Sequence, residues 1–278
     1  MSVKQWKQVI TLTVIAIILI LLILVIILGI KLAQYKDPVI DEAFASENLQ
    51  SSYQDLYPDL YVDGAFEFKD VQGKVCYLTF DDGPNVQNTT KILDTLKKNN
   101  AKATFFVIYR EGADAEALYK RIVNEGHTIA VHTASHNYNQ IYSSVAAYLA
   151  DFEKISSHIE KITGVKPEIF RFPGGSINTY NVAVYHEIIA EMLRRGYTYY
   201  DWNVSSGDAS ASWVSVKNIT NNVVSGCSRQ NQPIVLMHDG AGHGNTADAV
   251  PEIIKQLKTQ GFSFEGLDKT IKPFCFGY

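Results

Sequence analysis

Val75-Cys76-Tyr77-Leu78-Thr79-Phe80-Asp81-Asp82-Gly83-Pro84 is the stretch from which the architecture is read. A β-rich apolar run stops at two adjacent carboxylates, and Gly83-Pro84 then turns the chain. The same pattern recurs downstream. Predicted strands Val75–Phe80, Ala103–Val107, His127–Val131, Ile169–Arg171, Thr198–Trp202 and Ile234–Met237 alternate with amphipathic segments near Asn88–Asn99, Ala115–Glu125, Ser144–Thr163, Asn181–Arg195, Ser215–Val224 and Ala247–Gln260. Gly126, Gly164, Gly196 and Gly261 each stand just past a helical pattern, where a left-handed C-cap is wanted. Asn88 is placed to cap the first helix. Such alternation predicts an α/β fold with a parallel sheet, either barrel or open, with functional loops after the strand C-termini.

Upstream, Val9–Ile30 is a 22-residue run without a charge, built mainly of Ile, Leu and Val. As a helix it reaches about 33 Å, enough for a bilayer core of about 30 Å. Lys4 and Lys7 precede it, while Lys31 and Lys36 are soon followed by Asp37, Asp41, Glu42 and Glu47. That bias places the N-terminus inside and the remainder outside. A cleaved signal peptide competes, with Ala43-Phe44-Ala45 as a small-x-small site, but the apolar run is longer than such peptides use. The expected organisation is a cytoplasmic N-terminus (1–8), a transmembrane anchor in the lipid bilayer (9–30), an extracytoplasmic stalk (31–70) and one folded domain (71–278). The expected location is the cell membrane, single-pass.

Twenty-five Lys and Arg against 29 Asp and Glu give a net charge of −4, with no basic stripe, which argues against a nucleic-acid partner. Hydrophobic residues at 46% exclude disorder for most of the chain. Three cysteines exclude a disulfide-framed mini-protein; Cys76 reads as buried in the first strand, and a Cys227–Cys275 bridge stays open.

The polar residues gather at strand ends. Asp81 and Asp82 repel each other, and burial disfavours both, so a bound cation would make the pair favourable; a polar turn with a helix cap is the competing reading. His132-Thr133-Ala134-Ser135-His136 sets two imidazoles at i and i+4, read as one side of a helical turn meeting one metal. With a carboxylate they form a two-His, one-carboxylate set that leaves a position for water; the same set also suits non-haem iron. Phe170-Arg171-Phe172-Pro173-Gly174-Gly175 offers a bidentate Arg and a free backbone N–H. Asp201-Trp202-Asn203 with Ser205-Ser206-Gly207-Asp208, and Leu236-Met237-His238-Asp239, complete the series.

In this order, Thr-Phe-Asp-Asp-Gly-Pro, His-Thr-x-x-His, Arg-x-Pro-Gly-Gly and Leu-x-His resemble the polysaccharide deacetylase family, also called the NodB-homology or carbohydrate esterase family 4 domain. The resemblance covers roughly Lys74 to Gly261. It implies a distorted (β/α) barrel and metal-dependent removal of acetyl groups from sugars. It also implies Asp81 as base, Asp82, His132 and His136 as metal ligands, Arg171 as the group orienting the base, and the Gly174 N–H at the oxyanion. His238 would be the acid and Leu236 the lining of the acetyl-methyl pocket. The implied cofactor is one divalent metal, Zn²⁺ first, with Co²⁺ or another transition metal as alternatives.

Between the last two of these motifs, at Ser205-Ser206-Gly207-Asp208-Ala209, the chain departs from the Asp-x-x-Asp-Trp that many family members carry. Ser205 stands where many members carry the Asp that tunes the acid, and Ala209 where they carry a groove Trp. Asp208 is then the carboxylate assigned to His238, and Trp202 or Trp213 the aromatic wall. His127, His158 and His186 lie away from the motifs, and His243 could rim the site. A monomeric domain acting on an acetylated glycan is expected. Peptidoglycan N-acetylglucosamine comes first; N-acetylmuramic acid, chitin-like oligomers, poly-N-acetylglucosamine and O-acetyl xylan remain open, as does a non-catalytic glycan-binding domain.

Overall fold

The computed structural model describes Leu21, residues 53–64 and residues 67–277. The chain divides into two units, Met1–Ser51 and Ser52–Tyr278. The expected span 9–30 lies outside the described residues apart from Leu21; among those described, no helix is long and apolar enough to cross a membrane.

Eight strands and seven helices are described in the second unit. In chain order they are β1 (Val75–Asp81), α1 (Val86–Lys98), β2 (Thr104–Ile108), α2 (Ala113–Asn124), β3 (Thr128–Thr133), α3 (Tyr138–Ile141), α4 (Val145–Thr163), β4 (Ile169–Phe170), α5 (Tyr185–Arg194), β5 (Thr198–Tyr199), β6 (Val204–Ser205), α6 (Val216–Cys227), β7 (Ile234–His238), α7 (Gly244–Thr259) and β8 (Ser263–Phe264). Sheet neighbours run β5-β4-β3-β2-β1-β7-β6, with β8 on β1, and every pairing is parallel. The sheet curls into a half-barrel of the expected class, but β5 and β6 do not pair among the described residues. Both are two residues long, and the intervening backbone has other partners. The Tyr200 and Asp201 carbonyls accept from Arg171, and Asp201 N–H donates to the Phe274 carbonyl at 2.8 Å. The expected strand Thr198–Trp202 is therefore cut to Thr198–Tyr199.

β1 is buried on both faces, as a central parallel strand must be. Cys76, Leu78 and Phe80 enter the main core, while Val75 and Tyr77 join the smaller cluster inside the curl with Phe106, Ala130 and Tyr200. α1 and α7 pack together, and α6 lies beside α7. Gly126, Gly164, Gly196 and Gly261 all have positive φ, as the stop signals require. Asn85, rather than the expected Asn88, caps α1: its side chain accepts from Gln87 N–H and Asn88 N–H, both at 3.0 Å. Asn88 lies inside the first turn and donates to the Gly240 carbonyl at 2.7 Å. The helix expected from Asn181 begins at Tyr185, because Asn181 is held in a turn. Its Oδ1 accepts from Asn178 N–H, and its Nδ2 donates to the Ser176 carbonyl.

Residues 53–62, read from sequence as part of the stalk, pack on the folded unit. Arg195 is fully buried and paired with Glu191 at 2.6 Å. Its guanidinium donates to the carbonyls of Tyr57 at 3.0 Å and Leu56 at 2.8 Å. Val62 N–H donates to the Arg195 carbonyl at 2.9 Å. Gly196 is required there, since a Cβ would run into the Val62 carbonyl. The three cysteines are free thiols; Cys227 is buried against Cys76 rather than bridged to Cys275.

Candidate active site

Parallel register sets the centre of the site. β1 and β7 align Asp81 with His238, so the two side-chain-bearing strand ends stand side by side. Asp82 then leaves the strand with φ 72°, in the left-handed region, which swings its carboxylate away from that of Asp81. Gly83 follows because a Cβ there would collide with the buried carboxylate of Asp239.

Asp81 is buried and accepts from Arg171 Nη1 at 2.9 Å. Arg171 is itself fully buried. It donates to Thr79 Oγ1 at 2.6 Å and to two backbone carbonyls, and its guanidinium lies 4.2 Å from the Phe106 ring centroid. Four of its five N–H donors have partners, so the charge is held rigidly and aims Asp81.

Asp82 meets the two imidazoles. His132 Nε2 and His136 Nε2 lie 3.5 and 3.2 Å from Asp82 Oδ1. The segment is not the helical turn expected from its spacing. His132 is within β3, and the chain reverses through Ser135 to a left-handed His136 at φ 53°. The reversal is organised by Asp151 on α4, which accepts from Thr133 Oγ1, from Ala134 N–H at 2.6 Å and from Ser135 N–H at 2.8 Å. His132 Nδ1 donates to the Arg171 carbonyl at 2.8 Å, leaving the Nε2 lone pair directed at Asp82.

These residues fit a divalent metal. Asp82 Oδ1 is buried without a hydrogen-bond partner of proper geometry, although two ring nitrogens face it. Asp82, His132 and His136 present ligand atoms within 4.8 Å of one another. Burial pushes the Asp82 carboxyl up, but the imidazoles of His136 and His132 outweigh it and hold it well below the usual carboxylate range. Burial lowers His132, while His136 is raised by the Asp82 carboxylate.

Asp208, His238 and His243 also cluster, yet their hydrogen bonding differs. Asp208 Oδ1 takes His238 Nδ1 at 2.9 Å, and Oδ2 takes His238 N–H and Thr246 Oγ1, both at 2.8 Å. With both oxygens satisfied, the arrangement is a carboxylate–imidazole dyad. Burial pulls His238 down, but Asp208 more than offsets it, and the imidazole is raised to about 9. His243 stacks on His238 at 5.0 Å between centroids.

Gly174, at φ 77°, follows Pro173, whose carbonyl accepts from Tyr142 Oη at 2.7 Å and Asn178 Nδ2 at 3.2 Å. Tyr138 crowds Gly174 and meets His136 edge-on at 5.3 Å. Leu236 is half-buried in β7 beside Thr79. Trp202 packs against Phe276 at 4.8 Å and lies beside Gly175.

Asp151, Thr246 and Tyr138 are absent from the sequence reading, which quotes Asp239 beside His238 but gives it no role. Asp151 lies mid-helix with no local signal.

Residues 68–193 match the sequence profile of the polysaccharide deacetylase family. The putative polysaccharide deacetylase YheN of Bacillus subtilis is 32% identical over 221 residues, covering 78% of this chain and 75% of that protein. A peptidoglycan-N-acetylglucosamine deacetylase of Bacillus cereus is 34% identical over 202 residues, 71% of each chain. The crystal structure of the catalytic domain of peptidoglycan N-acetylglucosamine deacetylase from Eubacterium rectale superposes with a TM-score of 0.72 at 38% identity, covering 77% of this chain and 97% of that one. With a half-barrel that brings the four motifs to one end of the sheet, the chain belongs to the polysaccharide deacetylase family and is an enzyme of that class.

Proposed function

We propose that this enzyme removes the N-acetyl group from N-acetylglucosamine residues of peptidoglycan. The observation that carries the proposal is the register of β1 with β7. It sets a buried carboxylate, Asp81, beside an imidazole, His238, at the strand ends from which Asp82 continues into the Asp82–His132–His136 cradle. The names of the relatives favour peptidoglycan over other glycans. The uncharged run 9–30 supports a tether that places the domain against wall polymer.

Asp82, His132 and His136 would hold the metal, with Zn²⁺ suited to a nitrogen-and-oxygen ligand set. A divalent ion bound there would polarise the acetyl carbonyl and acidify water. Asp81, aimed by Arg171, takes a proton from the water whose oxygen adds to the acetyl carbon. The carbonyl oxygen gains negative charge, and the Gly174 N–H is free among the described residues to donate to it. Collapse breaks the carbon–nitrogen bond. The amine cannot leave as an anion, so His238 delivers a proton from its face opposite Asp208, and acetate and a free amino sugar result. Leu236 lines the space for the acetyl methyl.

The test is acetate release by the zinc-loaded full chain from purified peptidoglycan, beside chitin oligomers, poly-N-acetylglucosamine and acetyl xylan. Release from peptidoglycan that Asp81→Asn abolishes while metal content is unchanged is the expected result. Release from none of the glycans by the wild type would overturn the reading.

A further inference from the structure

Asp201-Trp202-Asn203 stands out in the sequence, yet none of the chemistry above uses the Asp201 side chain. That side chain is fully buried, just past the end of β5, in the seam where β5 and β6 do not pair. A carboxylate withdrawn from water this completely has to be met by donors. Three meet it, from two distant segments. Ser176 N–H donates to Oδ1 at 2.8 Å, and Ser176 Oγ donates to Oδ2 at 2.5 Å. Phe276 N–H donates to Oδ2 at 2.7 Å. The first segment is the loop that carries Gly174; the second is the C-terminal segment.

The C-terminal segment is fastened on either side of that bond. Asp201 N–H donates to the Phe274 carbonyl, and the Phe276 ring packs on Trp202 and on Gly175. Gly175 has φ 86°, and a Cβ there would stand 2.7 Å from the Phe276 ring. The carbonyls of the loop are tied down as well. Phe172 accepts from Gly175 N–H at 2.9 Å, Pro173 and Gly175 accept from Asn178 Nδ2, and Ser176 accepts from Asn181 Nδ2. The direction of the Gly174 N–H is then set by groups that Asp201 holds. Asp201 reaches the base too, since its carbonyl accepts from Arg171 Nη2 at 3.1 Å and Arg171 aims Asp81.

We infer that Asp201 is a positioning residue for the reaction: it clamps the Pro173–Ser176 loop against the C-terminal segment and so fixes the Gly174 N–H where the carbonyl oxygen gains charge. This role rests on the proposed deacetylation. A donor aids the rate only when it stands where the oxyanion forms, and about 1 Å of misplacement costs about 10²-fold. Binding of substrate before reaction does not call on it, so loss of the clamp falls on kcat and spares KM.

Two measurements on the zinc-loaded full chain test the clamp. The first, hydrogen exchange read by mass spectrometry, needs no turnover. Asp201→Ala and Phe276→Ala are each expected to speed exchange over residues 173–178 about tenfold and to leave residues 128–136 unchanged. Unchanged exchange over 173–178 in Asp201→Ala overturns the clamp. The second is acetate release from soluble peptidoglycan fragments. Asp201→Ala should lower kcat about 10²-fold, with KM within about twofold and zinc content unchanged. Asp201→Asn keeps an acceptor for Ser176 N–H and loses Phe276, so its kcat should fall about tenfold. N-methylphosphonyl glucosamine, a tetrahedral anionic mimic of the reacting group, should lose affinity in proportion to kcat/KM. Fewer binding sites for that analogue at unchanged affinity would mean a merely structural role and overturn the inference, as would a loss confined to KM. Where Asp201→Ala fails to fold, Phe276→Ala carries the same readouts. Lost loop protection in the variants beside a wild type that releases no acetate from any glycan instead overturns the proposed reaction and leaves the clamp standing.

Discussion

At the scale of single residues, the site is a contest between burial and charge. His238 shows the outcome most directly: burial alone would lower it, and the Asp208 carboxylate reverses the sign. As a proton donor, His238 works only while protonated. Activity is expected to hold as pH rises through neutrality and to fall as pH passes about 9. Asp208→Asn removes the anionic partner, so this alkaline limb of kcat/KM should move down by about two pH units, read from a pH–rate profile. An unmoved limb would remove Asp208 from this role. Asp82→Asn should lose metal by elemental analysis, whereas Asp81→Asn should keep it, because only Asp82 faces both imidazoles. The pattern of the chain marks Asp81, Asp82, His132, Arg171 and His238 as polar residues at the ends of apolar runs, but their roles, and that of His136, came only through the resemblance to the family.

At the scale of elements, what is legible follows from length and periodicity. α4 begins where Ser144 caps it and ends at Gly164, within a residue of the sequence reading. β6 and β8 are two residues each, too short for any alternation to register. Asp151 illustrates a deeper limit. It sits on α4, 15 residues after His136, and nothing in its neighbourhood tells that its carboxylate turns back to cradle the loop between the two histidines. Its bonds to Thr133, Ala134 and Ser135 fix where His136 points. Asp151→Ala is expected to weaken zinc binding about 10–100-fold while leaving helix content unchanged; Asp151→Asn, which keeps one acceptor, should lose less. Competition titration with a chromophoric chelator measures it.

At the scale of the whole molecule, two features reach beyond the site. His127 is buried with neither ring nitrogen paired. Burial, helped by Lys102, lowers it to about 4 from an ordinary 6.5. Its folded value lies below its unfolded one, so the stability it permits is complete above about 6.5 and drains away as pH falls toward 4. That drain amounts to at most about 3 kcal/mol, and His127→Leu should flatten the acid-side fall in Tm. The parallel sheet was legible from strand–helix alternation, which left barrel or open sheet undecided, and its curl came from the family resemblance; its unpaired seam between β5 and β6 was not legible, since it depends on Arg171 and the C-terminal segment taking the backbone groups there.

The second feature is the buried Arg195 with its ring of carbonyls from residues 53–60. Arg195→Met should cost about 1–3 kcal/mol in denaturant unfolding, because the carbonyls of Leu56 and Tyr57 lose their donor, while Arg194, 2.7 Å from Glu191, still pairs that carboxylate. Residues 53–62 are thereby moored to the C-terminal end of α5, so a pull applied at residue 53 is expected to load Arg195 and Gly196 before it reaches β1 and the paired aspartates.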